Sequence, residues 1–236
     1  VMQTWDSPEW WLDTHHFDEA TRAKVLKEYG KALAGAECFI AASKNMEQEF
    51  KERYHCKRAK AVRLGFPVEE PMQGERDEKS FIIALAGQVY ATAEFTALVQ
   101  ALEKLDWHWG GKEIFLDLYV QSLPYMEGLK SPLDRHVRKK GRRVQRELLY
   151  ELSKANLLYC PYWFDAEHAL ISHTSFPSKL CTYLSIARPV AVHAPVYAST
   201  YQFAKEQNAA YCLDTVDVDK LTEVHQNAVN RWYGVN

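Results

Sequence analysis

Several things are scarce in this 236-residue chain, and each scarcity excludes a class of protein. No stretch approaches the ~20 consecutive apolar residues of a membrane-spanning helix, and no charged-then-apolar leader opens the chain. Cysteine is sparse. The five residues Cys38, Cys56, Cys160, Cys181 and Cys212 are odd in number and far apart, without a Cys-x-x-Cys pair or a histidine at zinc-ligand spacing. That pattern argues against a disulfide framework and a structural metal, and for a reducing compartment, the cytoplasm. Charge of one sign is also lacking. With 29 basic against 31 acidic residues there is no broad basic footprint, which excludes a general nucleic-acid binder. Apolar residues make up 47% of the chain, enough for a core and for one large domain, or one α/β domain and a piece of another. The chain opens on Val1, which reads as a piece of a longer or processed chain.

The most informative stretch is His173-Thr-Ser-Phe-Pro-Ser-Lys-Leu-Cys-Thr-Tyr-Leu-Ser-Ile-Ala-Arg-Pro-Val-Ala-Val-His193, which reads as loop, helix, strand. Leu180, Tyr183, Leu184 and Ala187 share the spacing of one buried helix face, whereas Ser175, Ser178, Lys179 and Thr182 fall on the other side. Pro177 suits a first helical turn, and Arg188-Pro189 ends the helix before the apolar run Pro-Val-Ala-Val. A helix start carries unpaired N–H groups and partial positive charge. Serines and a lysine placed there make a site suited to a phosphate or diphosphate, although an ordinary capped αβ unit would show the same pattern.

Elsewhere, apolar runs alternate with helical spacing. Strands are expected over 38–43, 59–67, 81–86, 114–120, 157–162, 189–193 and 209–213. Helices are expected over 18–35, 45–54, 93–105, 146–155 and 197–207, with a last one toward the C-terminus. This is an α/β chain with a Rossmann-like, doubly wound parallel sheet, whose ligands lie outside the carboxyl ends of the strands. Gly87, Gln88, Tyr119, Tyr162 and the 173–182 loop should meet at that edge. A lone glycine at a strand end falls far short of G-x-G-x-x-G, so no dinucleotide fingerprint is present. The Trp5, Trp10 and Trp11 cluster reads as a packing plug, or as a wall facing an acceptor or a membrane. From Lys130 to Arg146 runs the one strong charge feature. It reads as a solvated face, or as a contact for anionic lipid head groups that makes peripheral membrane contact through 130–146 an expectation.

The run Phe-Pro-Ser-Lys-Leu-x-Thr-Tyr-Leu-x-x-x-Arg-Pro-Val-x-x-His-x-Pro over 176–195 resembles the donor-binding segment of GT-B-fold glycosyltransferases, in particular bacterial enzymes similar to glycosyltransferase family four. The resemblance implies that residues 1–67 are the tail of the N-terminal domain, 68–79 a linker, 80–215 the nucleotide-sugar domain and 216–236 a C-terminal helix. It implies a sugar transferred from a nucleotide-diphosphate donor to a glycan or lipid-linked acceptor at the inner face of the membrane, as in polysaccharide biosynthesis. Lys179 is then the catalytic charge on the leaving diphosphate. Gly87, Gln88, Tyr119, Arg142, Tyr162, Thr174, Ser175, Phe176, Ser178 and Thr182 complete the donor site, with Arg142 and Arg143 near the base or ribose. The family's two glutamates fall on Thr174 and Thr182, a departure that touches the sugar and ribose contacts. Such enzymes need no cofactor and no metal, and the only Asp-x-Asp, Asp217-Val-Asp219, lies far from the motif. A nucleotide-sugar 2-epimerase, which shares the GT-B fold, and a non-catalytic nucleotide-sugar-binding module are the alternatives. A homo-oligomer is an open expectation.

Overall fold

The computed structural model describes residues 1–63, 65, 74–121 and 133–223, with nothing stated of the Leu133 and Asp134 side chains. The first half of the expected linker (68–73), Lys130 of the basic run and residues 224–236 of the expected C-terminal helix lie outside these residues.

The described residues build two sheets. Strands β1 (Met2–Thr4), β2 (Phe39–Ala41) and β3 (Ala59–Ala61) form a small parallel sheet in the order β1-β2-β3. Around it lie α1 (Pro8–Thr14), α2 (Glu19–Gly35) and α3 (Lys44–Tyr54). Ser43 starts α3 by accepting a hydrogen bond from Met46 N at 3.0 Å, the cap its short hydroxyl side chain favours. Leu33, Phe39, Met46 and Phe50 form the core of this unit.

The larger sheet contains β4 (Ser80–Ala86), β5 (His108–Trp109), β6 (Lys112–Tyr119), β7 (Val137–Lys139), β8 (Leu157–Pro161), β9 (Val190–His193) and β10 (Tyr211–Leu213). Its order is β10-β9-β8-β4-β6, with β7 parallel and β5 antiparallel on the outer side of β6. The chain first moves one way from β4, to β6 and β7, then returns to the other side of β4 for β8, β9 and β10. The direction reverses between β4 and β8, which is the topological switch point of a doubly wound sheet. Side chains alternate as a two-residue period demands. Phe81, Ile83, Leu85, Leu116, Leu118 and Tyr159 pack on one face, and Ala84, Ala86, Leu158 and Cys160 on the other. The first face is covered by α4 (Thr92–Lys104). The second is covered by α6 (Gln145–Ser153), α8 (Ser178–Ser185) and α9 (Ser199–Glu206). All five cysteines are free thiols. Among the described residues no helix is long and apolar enough to cross a membrane.

The basic run differs from the continuous solvated face expected of it. After the short helix α5 (Leu133–His136), Val137 is buried and β7 extends the sheet. Asp117 of β6 is 4% exposed; Arg138 Nε reaches its carboxylate at 2.5 Å and Lys140 Nζ at 3.6 Å. Arg135 pairs with Glu113 of the same strand at 2.8 Å. A buried carboxylate is tolerated only when paired, so part of the run is consumed inside the fold. Lys139, Arg142, Arg143 and Arg146 stay exposed.

Besides Trp10 of α1, which packs on the core of the larger unit, the two units touch along a seam at the start of α3. Ser43 Oγ donates to Thr174 O, Asn45 Nδ2 donates to Tyr197 O at 3.3 Å, and Lys44 pairs with Glu206 at 2.9 Å. Arg63 lies over the rings of Phe176 and Phe203, 5.1 and 4.4 Å from their centroids.

Candidate functional site

A two-lobed cleft opens at the carboxyl ends of β4 and β8, where the sheet's direction reverses. Gly87, which follows β4, has φ +83°, a backbone state that costs glycine little, and its N–H donates to Tyr119 O at 3.2 Å. A Cβ built there would meet nothing within 4 Å, so the backbone faces open space. The position of α8 is set by packing. Tyr183 and Leu180 are fully buried, and the Tyr183 hydroxyl accepts a hydrogen bond from Ala86 N at 2.7 Å, pinning the helix to the end of β4.

Lys179 lies one turn before Tyr183 and so faces the same way. Its Nζ donates to Gln88 O at 3.1 Å and stands 4.3 Å from the centre of the Tyr90 ring. It therefore shares the Tyr183 face of α8, not the face opposite Tyr183 that the sequence reading assigned it. Burial holds its pKa below the ordinary lysine value, because the ammonium has lost water and, among the described residues, pairs with no carboxylate in exchange. A cation in that condition gains from an arriving anion.

One lobe, about 880 Å³, is lined by Gly87, Gln88, Tyr162, Phe176, Ser178, Lys179 and Thr182, together with Trp5 and Trp10 from the small unit. The other, about 1030 Å³, is lined by Gly87, Gln88, Tyr119 and Arg142, and also by Trp10, Tyr90, Glu94, Arg143, Trp163, Asp165 and His168. Either lobe has room for a small-molecule ligand. The structure thus brings together all the site residues expected from sequence except two. Thr174 is buried at the end of α7 (Ala169–Thr174), its Oγ1 donating to Leu170 O at 2.7 Å. Ser175 is 1% exposed beside the Tyr162 hydroxyl, and its carbonyl accepts from Ser199 Oγ. Both belong to the seam under the cleft. Thr182 lines the cleft, with its hydroxyl donating back to Ser178 O at 3.2 Å.

Aromatic walls are the part that sequence reading missed. Trp163 Nε1 donates to Tyr90 O at 3.1 Å, and the Trp163 and Tyr90 rings lie 4.5 Å apart. The His168 ring stacks on Trp163 at 4.6 Å, while its Nδ1 meets Asp165 Oδ1 at 2.7 Å. Burial pushes the Asp165 carboxyl up, but the ring and backbone N–H of His168 outweigh it, and the pKa lies below the usual value. Tyr90 and Trp163 have no residue pattern that marks them, since their pairing depends on two loops meeting at the switch point. The tryptophan cluster divides: Trp10 packs on the main core, Trp5 lines the cleft at 44% exposure, and Trp11 is 48% exposed, stacked on His15.

Among the described residues, one group has metal-ligating atoms converging within 4.8 Å: Asp165, Glu167 and His168 at the cleft rim. Asp217 and Asp219 are structural. Asp217 Oδ1 accepts from Asp219 N at 3.0 Å and from Lys220 N at 3.2 Å, and Asp219 pairs with Lys104. A further depression, lined by Lys44, Glu47, Gln48, Lys51 and Glu52, is the solvated side of α3 alone.

No protein-family profile matches the chain, and no curated protein matches it in sequence. In three dimensions it is similar to sucrose-phosphate synthase from Thermosynechococcus elongatus, with TM-score 0.63 and 17% identity over 93% of this chain and 54% of the other. It is similar to the UDP-forming α,α-trehalose-phosphate synthase from Burkholderia xenovorans, solved with glucose-6-phosphate, with TM-score 0.61 and 13% identity over 86% and 56%. WaaG, a glycosyltransferase involved in lipopolysaccharide biosynthesis, matches with TM-score 0.58 and 15% identity over 81% and 53%. The chain spans about half the length of these proteins. At such identities the likeness is one of fold: a Rossmann-like α/β sheet of the GT-B glycosyltransferase type.

Proposed function

We propose that the chain is the donor-binding half of a GT-B glycosyltransferase, together with the closing part of its N-terminal domain. In this reading residues 1–67 belong to that N-terminal part, 80–215 bind a nucleotide-diphosphate sugar, and the sugar passes to a glycan or lipid-linked acceptor. The observation that carries the reading is Lys179, desolvated at the start of α8 and aimed across the cleft at the Gly87–Gln88 turn. A diphosphate there meets one half-buried cation and the N–H groups of a helix start, and charge developing on it as it leaves is stabilised by groups already in place. Arg142 and Arg143 in the other lobe suit the nucleotide end. Neighbours described as UDP-forming or as a glycosyltransferase support the same chemistry. Direct neutralisation by Lys179 gives metal-independent binding.

Transfer is a separate matter. Holding an acceptor against the donor carbon is worth about 7–11 kcal/mol, and the chain spans only about half the length of its neighbours. A nucleotide-sugar-binding module without turnover of its own is therefore the second reading. Titrating UDP, GDP and TDP in EDTA, followed by a transfer assay with labelled nucleotide sugars and lipid acceptors in the same buffer, tests both. Binding without turnover is expected. Binding lost in EDTA overturns metal independence, and turnover at about 1 s⁻¹ or faster shows that these residues already hold an acceptor.

A further inference from the structure

We propose that Glu94 is the sugar-recognising residue of the cleft, its free carboxylate oxygen accepting a hydroxyl of the donor sugar. This rests on reading the cleft as a nucleotide-sugar site. Glu94 sits in the first turn of α4, is 2% exposed, and lines the larger lobe beside Tyr90 and Trp163. One oxygen is anchored: Oε1 accepts from Phe164 N at 2.9 Å, tying the carboxylate to the loop that follows β8. The other, Oε2, is buried with no hydrogen-bond partner.

Two ordinary explanations of a buried carboxylate fail here. It is not held by a cation, since no ion pair to Glu94 exists among the described residues, in contrast to Asp117 with Arg138 and Lys140. Nor is it a helix cap, because its anchored oxygen serves the loop after β8 and not the N–H groups of α4. A buried acceptor left without a donor is costly, and the expense is recovered when a ligand supplies one. An ionised carboxylate can only accept, so the complementary group is a donor. Trp10, which lines the same lobe, offers a flat apolar face, whereas the Tyr90 and Trp163 rings are taken up by one another, by Lys179 and by His168 and form the wall behind it. A ring with apolar faces and hydroxyls at its edge fits both features, and a sugar is such a ring.

The experiment uses the full chain and measures binding calorimetrically for three pairs: UDP and UDP-glucose, GDP and GDP-mannose, TDP and TDP-glucose. Wild type is expected to bind one sugar nucleotide about tenfold or more tightly than its parent diphosphate. Glu94→Gln turns an amide N–H toward the sugar, which leaves the parent diphosphate within about twofold and abolishes the preference. Its melting temperature should not fall, because glutamine keeps the shape and its Oε1 still accepts from Phe164 N. A folded Glu94→Gln that keeps the preference overturns the proposal. The unmodified protein gives an independent check with monodeoxy analogues of the preferred sugar nucleotide. One of them should lose about tenfold or more, and a series that all bind within about twofold of the parent overturns the proposal even where the variant does not fold. If no nucleoside diphosphate binds wild type, the donor reading fails by itself. Saturation-transfer NMR with free glucose and mannose then decides for Glu94: a signal that Glu94→Gln abolishes upholds the hydroxyl site, and its absence in wild type overturns it.

Discussion

Helices α2 and α4 are both amphipathic in sequence, and the fold treats them differently. In α4 the residues Phe95, Ala97, Leu98, Val99, Ala101 and Leu102 are all buried against the larger sheet. In α2, 17 residues long, Leu33 alone is buried, and Val25 is 38% exposed. The expected stripe Ala20, Ala23, Leu26, Tyr29 and Leu33 is present but finds little to cover it. A helix gains from its apolar face only what an opposing surface lets it bury. The larger sheet offers α4 a face of several strands, whereas three short strands offer α2 almost none. Stability should therefore reside in the unit that carries the cleft.

The largest effect expected is at the centre of that unit. Leu98→Ala removes a fully buried side chain and should cost about 2–5 kcal/mol in urea unfolding followed by circular dichroism. A cost under about 1 kcal/mol would erase the contrast between the helices.

The next effect is acid sensitivity in the same sheet. His193 is fully buried; its Nε2 meets Thr215 O at 2.6 Å and its Nδ1 meets the Tyr159 hydroxyl at 2.6 Å. A carbonyl only accepts, so Nε2 carries the proton and Tyr159 donates to Nδ1. Burial lowers the pKa to about 4 from 6.5, so the unfolded chain takes up a proton before the folded one does. The stability tied to neutral His193 is complete above pH 6.5 and is lost as pH falls toward 4, a change of about 3 kcal/mol. Urea midpoints from pH 7 to 4 should fall more steeply for wild type than for His193→Gln. Parallel curves would remove His193 as the cause.

A smaller effect is expected in the cleft and should leave folding alone. Lys179→Ala should weaken nucleoside-diphosphate binding by about 1.5–3 kcal/mol, with the unfolding curve nearly unchanged. Equal affinity by calorimetry would take Lys179 out of the site. The smallest is in α2, where Val25→Ala should shift stability by no more than about 0.5 kcal/mol, since the side chain is exposed and alanine favours the helix. A clear loss would mean that this face is covered in solution.

Legibility in the sequence followed the physics of each element. Strands β4, β8 and β9 are largely apolar runs, because strands buried on both faces have no polar side to show, and β6 is apolar from Ile114 onward but for Asp117; each was expected within a few residues of its place. Strand β7 was not legible. Val-Arg-Lys reads as surface until Asp117, some twenty residues away, is seen to neutralise it. Helix α7 is only six residues long and sits among loop residues, too short for a period to show. In the cleft, Lys179, Ser178 and Gly87 carried local signals, a helix start and a strand-end glycine. Glu94 carried none, for an acid in a first helical turn is explained by the helix dipole alone.

Local pattern, then, determined what depends on neighbours along the chain: the alternation of strand and helix, the doubly wound class, and a lysine at the head of a helix after Phe-Pro-Ser. Tertiary structure decided what depends on residues far apart. It set the reversal of strand order between β4 and β8 that opens the cleft, and the Tyr183–Ala86 bond that aims Lys179. It also sealed Thr174 and Ser175 beneath the floor and buried Glu94 beside two aromatic rings. A hydrogen bond or a buried charge is fixed by what lies across a gap in space, and the order of residues along the chain does not say which residues those will be.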